Sequence, residues 1–162
     1  MKYISFAIPS YTSQEYMAHA IESILVGGED VEIIIVNDGS SDDTSKIAHE
    51  YEEKYPTIIK AVDKENGGHG DAVNSGLTHA TGKYFKVVDS DDWVDAEALQ
   101  KILEFLKKLE SEDEEVDMLI SNYVYEKVGA THKKCIHYRN VLPQDKIFKW
   151  EEIGRFHLDQ YI

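Results

Sequence analysis

Three aspartates, Asp89, Asp91 and Asp92, directly follow an apolar run in the stretch KYFKVVDSDDWVD, residues 83–95. Two carboxylates about 4 Å apart repel by ~1 kcal/mol in bulk water and by ~4 kcal/mol at an effective dielectric near 20. Such a cluster needs either full solvation or a cation. Oxygen-only ligands, few in number, are the pattern of a Mg2+ or Mn2+ ion held jointly by a protein and an anionic substrate. The plainer alternative is helix capping beside a solvated loop. Asp95 already stands at the cap position of the next helix, which leaves three acids without that explanation. Asp89, Asp91 and Asp92 are therefore the candidate metal ligands, and Trp93 either walls their site or packs in the core.

Two further polar loops carry candidates. In VNDGSSDDT (36–44), Asp42 or Asp43 caps the next helix and Gly39 merely turns, or Asp38 serves a ligand. In the second case its carboxylate accepts an N–H from a planar base edge, kept ionised by the nearby helix N-terminus. In ENGGHG (65–70), the glycines let backbone N–H groups approach a phosphate closely. His69 there either hydrogen-bonds that phosphate or is a surface turn residue. The loop is no dinucleotide fingerprint, because Val73 stands where the third glycine belongs, and no G-x-x-x-x-G-K-[ST] occurs in the chain.

The elements that must position these loops follow from periodicity. Apolar runs at 3–8, 31–36, 58–62 and 84–88 read as strands. The run VEIIIV is continuous enough for a buried parallel strand. Amphipathic stretches alternate with them: TSQEYMAHAIESILV, with Thr12 and Glu15 in capping-box spacing and Gly27 and Gly28 stopping it; TSKIAHEYEEKY, ended by Pro56; GDAVNSGLTHA; and DAEALQKILEFLKKLE, with Asp95 as N-cap. VDMLISNYVYEKV predicts a further strand, KCIHYRNVL another, and WEEIGRFHLDQYI an amphipathic helix or its beginning. The alternation predicts an α/β fold, a mostly parallel central sheet with helices on both faces, Rossmann-like in its βαβ units. In such sheets ligands bind beyond the carboxyl ends of the strands. PSYT, NDGSSDDT, DKENGGHGD and DSDDW all fall on that one rim.

The chain has 162 residues, 42% of them hydrophobic, enough for one domain with a real core. A formal charge of −14 argues against nucleic acid or an anionic membrane surface as partner, since both need a basic footprint. An anionic small molecule is still admitted, provided that backbone N–H groups, a few cations or a metal compensate it. No apolar run approaches the ~20 residues of a membrane span, and the start MKYISFAIPSY lacks a basic leader region. The single Cys135 forms no internal disulfide, which agrees with a reducing cytoplasm.

With these pieces in order, IPSYT, VNDGSSDDT and ENGGHGDAVNSGLTHATGKYFKVVDSDDW resemble a family 2 glycosyltransferase with the nucleotide-diphospho-sugar transferase (A-type) fold. The likeness is strong over residues 3 to about 95 and weak beyond. The resemblance implies that Pro9 and Tyr11 line the nucleotide pocket and that Asp38, with Gly39, reads the base, commonly uracil. It places Asn66, Gly68 and His69 in the donor loop and Asn74 in the family's Asn-x-Gly, here Asn74-Ser75-Gly76. Asp89-Ser90-Asp91 matches the Asp-x-Asp motif, which contacts the ribose and holds Mn2+ or Mg2+ on the diphosphate, with Asp92 able to substitute. Many members carry a basic residue just before the Asn; this chain has Val73, so Lys64, His69, Lys83 or the metal alone must compensate the diphosphate.

The implied activity is transfer of a sugar from a nucleotide-diphosphate sugar, a UDP-sugar by expectation, to an acceptor hydroxyl with inversion, as in polysaccharide or cell-wall glycan synthesis. The acceptor is a glycan, a lipid-linked glycan or a protein. The implied location is the cytoplasm, or the inner face of the membrane through regions absent here. The family's catalytic base and acceptor pocket usually lie well beyond the Asp-x-Asp motif. Glu151, Glu152 and Asp159 are the late acids near a predicted helix start, and none lies in a recognisable pattern. Residues 1–162 are thus expected to be a single domain cut before the acceptor half. The alternative is a non-catalytic nucleotide-sugar-binding module. A nucleotidyltransferase would carry a glycine-rich basic loop after the first strand, and IPSYTSQEYM has none.

Overall fold

The structure, a computed structural model, describes residues 1–126, 132–140 and 142–153. The chain divides into two compact units, Met1–Asp113 and Glu114–Ile162. The first holds four parallel strands, β1 (Ile4–Ser10), β2 (Val31–Asp38), β3 (Ile59–Lys64) and β4 (Tyr84–Val87). They alternate with four helices, α1 (Met17–Leu25), α2 (Thr44–Lys54), α3 (His69–His79) and α4 (Ala96–Ser111). The strand order is β3-β2-β1-β4, with Ile4 opposite both Val31 and Tyr84.

Hydrophobic continuity explains which strands are central. Every residue of β1 is buried, and Val31 and Ile33–Val36 of β2 are fully inaccessible. Fully burying one such side chain stabilises by roughly 1.5–3 kcal/mol. Buried runs without alternation need cover on both faces. Helix α3 covers the face of Ile34 and Val36 through Ala72. It also approaches β1 closely at Gly76, where an added Cβ would lie 2.6 Å from that of Ala7. Helix α1 packs against β1, β2 and α4. Helix α4 buries Leu99, Leu103, Leu106 and Leu109, one stripe at helical spacing. Its N-terminus is capped as its sequence predicts, Asp95 Oδ1 accepting from Ala98 N at 2.8 Å.

Several local expectations are corrected. The Thr12–Glu15 capping box does not form: α1 begins at Met17 and Thr12 has φ +52°. The Ser13 carbonyl accepts from Tyr16 N and Met17 N instead. Strands β1, β2 and β3 each run two residues past their predicted ends, because backbone pairing continues after the apolar pattern stops. The strand read at 84–88 ends at Val87 and is an edge strand, only partly buried.

The second unit carries an antiparallel pair, β5 (Tyr123–Tyr125) and β6 (Lys134–Ile136), where longer strands are predicted. Tyr123 packs edge-on against Tyr125, ring centroids 5.3 Å apart. The predicted last helix shows a single 3-10 turn at Trp150–Glu152. Its remainder, with Asp159, lies outside the described residues. Among the described residues no helix is long and apolar enough to cross a membrane.

Candidate functional site

The order of the strands reverses at β1. Strands β2 and β3 follow on one side and β4 lies on the other, so the crevice between the carboxyl ends of β1 and β4 is the topological switch point. Pro9 opens it. On the β4 side the last ladder bond runs from Val88 N to Ala7 O at 3.0 Å. The next would need an N–H from Pro9, which proline lacks. Pairing to β2 nonetheless continues through Ser10, opposite Asn37. The chain after β4 is thereby released into the 89–92 loop while β1 stays anchored. Pro9 itself is buried, and Tyr11, two residues on, is 59% exposed.

At the end of β2, Asp38 is 3% exposed and organises the glycine loop. Its Oδ1 accepts from Lys64 Nζ at 2.6 Å and from Gly67 N at 2.9 Å, and its Oδ2 accepts from Gly68 N at 2.8 Å. Burial alone would raise the pKa of this carboxyl; the Lys64 ammonium and the two backbone donors more than offset it and hold the pKa below the usual value. Lys64 also meets Asp71 Oδ2 at 2.7 Å and the Glu65 carbonyl at 2.5 Å. Gly39, at φ +70°, lies so close to Asn66 that a Cβ would come within 2.7 Å of its backbone N. Gly68, at φ +86°, caps α3, in a conformation that favours glycine.

The aspartate loop is a turn in which Asp92 N donates to Asp89 O at 2.9 Å. Ser90 points inward, 9% exposed, its hydroxyl 2.8 Å from that of Ser13, while Asp89, Asp91 and Asp92 are exposed. Burial, then the Asp91 and Asp89 carboxylates, push the Asp92 pKa up against the opposing Lys86. The two neighbouring carboxylates thus act on Asp92 in the repulsive sense expected from the sequence. These donors are all carboxylate oxygens, the chemistry a hard divalent cation prefers, so the residues fit Mn2+ or Mg2+. Among the described residues no three His, Cys, Asp or Glu side chains form a ready-made cage, so any ion there needs further oxygens from a ligand. His69 Nε2 stands 3.8 Å from Asp89 Oδ1, bringing the start of α3 to the aspartate loop.

Pro9, Tyr11, Asp38, Gly39, Asn66, Gly68, His69, Asp89, Ser90, Asp91 and Asp92 thus share one edge of the sheet. Asn74 lies in the second turn of α3, exposed. Of the cations offered as compensation, Lys64 is already engaged by Asp38 and Asp71. Lys83 belongs to the opposite edge, since it precedes β4 and its N–H donates to Lys2 O. The glycine of the Asn-x-Gly motif has a packing role, because Gly76 is where α3 meets β1. Asp42 rather than Asp43 serves the α2 terminus, its Oδ1 accepting from Thr44 N at 3.1 Å. Trp93 is 44% exposed and packs against His19, ring centroids 4.9 Å apart.

Sequence reasoning missed Asp71, Ser13 and Thr44. Asp71 stands in the first turn of α3 opposite Lys64, a charge pair that the strand–loop–helix reading could have exposed. Ser13 and Thr44 carried no signal beyond capping.

A parallel sheet with this strand order, a glycine loop and an acidic turn at its switch point defines a nucleotide-diphospho-sugar transferase-type domain. The sequence profile of glycosyl transferase family 2 matches residues 5–154, and the chain belongs to that family. The minor teichoic acid biosynthesis protein GgaB of Bacillus subtilis is 38% identical over 111 residues, covering 67% of this chain and 12% of GgaB. EpsH of the same organism is 31% identical over 167 residues, covering 94% of this chain and 46% of EpsH. The chain therefore spans less than half the length of either relative. The crystal structure of Staphylococcus aureus TarS 1–349 in complex with UDP-GlcNAc superimposes with TM-score 0.59 and 30% identity, over 68% of this chain and 32% of that one.

Proposed function

We propose that this chain is the donor-binding portion of a glycosyltransferase that takes its sugar from a UDP-sugar, with Mn2+ or Mg2+ at the aspartate turn. The observation that carries this reading is the convergence of the Asp38-braced glycine loop and the Asp89–Asp92 turn on the β1/β4 switch point. The UDP-GlcNAc complex of TarS supports the donor class, and the teichoic acid role of GgaB supports a cell-wall glycan as acceptor. In this reading Tyr11 flanks the base and Asp38 reads it through the free lone pair of Oδ2. Gly68 holds the loop against Asp38, His69 and Asn74 face the donor from α3, and Asp89 approaches the ribose while Ser90 is turned inward. Asp91, with Asp89 and Asp92, holds the ion. A bound divalent ion would neutralise the leaving diphosphate. The chain's own residues bind and orient the donor; a carboxylate base and the acceptor belong to the rest of the enzyme, with inversion at the sugar carbon the family expectation.

Calorimetric titration of UDP with and without Mn2+ tests this. Binding in the micromolar to millimolar range is expected only with the metal, because an unscreened diphosphate and three aspartates repel. Equal affinity in EDTA removes the metal role, and failure of a whole panel of nucleoside diphosphates to bind removes the donor role. A donor-hydrolysis assay on this chain and on any longer native form separates an enzyme portion from a non-catalytic binding module.

A further inference from the structure

We propose that Ser13, bonded through its hydroxyl to Ser90 and through its backbone N–H to Thr44, forms with them a buried relay that sets the orientation of the Asp89–Asp92 turn, making them positioning residues for the donor's diphosphate. The proposal rests on the donor-site reading above and deepens it. Ser13, in the loop after β1, bonds both to the chain that follows β2 and to the loop after β4. Its backbone N–H donates to Thr44 Oγ1 at 2.8 Å, at the first residue of α2. Its carbonyl receives the N–H groups of Tyr16 and Met17, where α1 starts. Its hydroxyl lies 3.3 Å from the Tyr11 carbonyl and 2.8 Å from the Ser90 hydroxyl. Ser13 and Ser90 are 77 residues apart in sequence.

Burial gives this contact its weight. Ser13 is 1% exposed, Thr44 0% and Ser90 9%. A buried hydroxyl without a partner is costly, so the Ser90 side chain is held inward. Ser90 is the second residue of the 89–92 turn. With it fixed inward, the carboxylates on either side, Asp89 and Asp91, face solvent. Proton bookkeeping along the relay is consistent in one direction: the Ser13 O–H donates to the Tyr11 carbonyl and the Ser90 O–H donates to Ser13 Oγ. The relay touches neither the proposed ion nor the base; besides the turn, the Ser13 hydroxyl reaches, among the described residues, only the backbone carbonyl of Tyr11.

The test uses the whole chain and the variants Ser13→Ala, Ser90→Ala and the double substitution. Amide hydrogen exchange at residues 89–92 is read without ligand, and UDP with Mn2+ and uridine without metal are titrated. Each single variant is expected to accelerate exchange at 89–92 and to weaken Mn2+-dependent UDP binding roughly three- to ten-fold, the range of one ordinary hydrogen bond. Metal-independent uridine binding should hold. The double variant should be no weaker than Ser13→Ala, because Ser13→Ala already removes the one bond that Ser90→Ala removes. Uridine affinity falling in step with UDP, additive losses in the double variant, or wild-type exchange at 89–92 in Ser13→Ala would each overturn the relay. If the wild-type chain shows no Mn2+-dependent UDP binding, the donor-site reading falls instead. The relay is then decided by exchange alone, sustained if Ser13→Ala accelerates residues 89–92 and overturned if it does not.

Discussion

The Lys64 ammonium lies 2.6 Å from Asp38 Oδ1 and 2.7 Å from Asp71 Oδ2, so one cation ties the end of β2 to the first turn of α3. The glycine loop between them is drawn over Asp38 by two backbone N–H groups. At Gly67 a side chain would collide: its Cβ would strike the Asp71 carboxylate and come within 2.9 Å of Lys64 Nζ. The glycines of ENGGHG therefore serve the protein's own carboxylate as well as any ligand.

Asp38→Asn should destabilise this arrangement. The amide keeps the shape, but its NH2 must face either Lys64 and Gly67 N or Gly68 N, all of them donors. A buried donor left without an acceptor costs about 1–3 kcal/mol, which lowers the melting temperature by several degrees in a domain of this size. Uridine affinity should fall together with UDP affinity, because the disturbed edge is the one assigned to the base. Thermal denaturation with parallel titrations checks both. A variant that melts with the wild type would show that the loop does not depend on Asp38.

Two glycines in α3 should respond in opposite directions. Gly76→Ala places a methyl 2.6 Å from the Ala7 Cβ on buried β1, and overpacking of this kind costs roughly 1–3 kcal/mol. Gly70→Ala meets nothing within 4 Å and replaces a flexible helical residue, a gain of up to about 0.5–1 kcal/mol. Chemical denaturation of the two variants measures the difference. Equal effects would mean that α3 sits further from the sheet than described.

Much of this was legible from residue order. The apolar runs and their spacing announced four strands and four helices, and parallel strands necessarily bring the four polar loops to one edge. The acids at 89–92 stood out because Asp95 already explained the cap. What stayed hidden depends on contacts between residues far apart in sequence. Nothing in PSYTS says that Ser13 meets Ser90, and a serine in a loop reads equally well as a cap. Asp38 drew attention as an acceptor, but its partners come from a loop some 30 residues on. The start of α1 was misread because Thr12 and Glu15 match the capping spacing, while tertiary bonds from Thr12 N to Ser40 Oγ and from Ser13 N to Thr44 Oγ1 hold the chain out of the helix. Past residue 113 the apolar pattern weakens, and the strand ends there were correspondingly poor.

A histidine adds a pH dependence at the other side of β3. His49 Nε2 lies 2.7 Å from Asp63 Oδ2, and Asp63 Oδ1 accepts from Asn37 and Ser45. The bond to Asp63, then that to Glu52, raises the His49 pKa. Burial works to raise that of Asp63, but Asn37, His49 and Ser45 together bring it below the usual carboxyl value. A raised histidine pKa contributes stability that is complete below about 6.5 and is lost as pH rises through the folded value. A lowered carboxyl pKa contributes above about 3.9 and is lost as pH falls through its folded value. The pair should therefore stabilise most between about pH 4 and 6.5, modestly, since both side chains are nearly half exposed. Melting curves of wild type and His49→Gln should differ most near pH 5–6 and converge toward pH 9. A difference that does not vary with pH would remove the ion pair from the account.

Asp91→Ala should abolish the Mn2+-dependent part of UDP binding and leave metal-independent uridine binding nearly intact. Pro9 ends the β1–β4 ladder, so residues 89–92 form a free turn on the same edge as Asp38. Ser90 faces inward, which leaves Asp91 exposed beside Asp89 and Asp92. A hard divalent ion here takes oxygens from protein and diphosphate together, so removing one carboxylate removes an anchor that neither neighbour replaces at the same geometry. The fold should survive, because Asp95, not Asp91, caps α4. The apo protein is expected to melt a few degrees higher, since Asp92, whose pKa is pushed up partly by Asp91, loses a repelling neighbour; ~1 kcal/mol of relief is enough for that in a domain this size. A thermal-shift titration of both proteins with Mn2+, with UDP and with the two together reads each arm. If the variant keeps a Mn2+-dependent UDP shift equal to that of the wild type, the aspartates are a solvated turn and the donor site loses its metal.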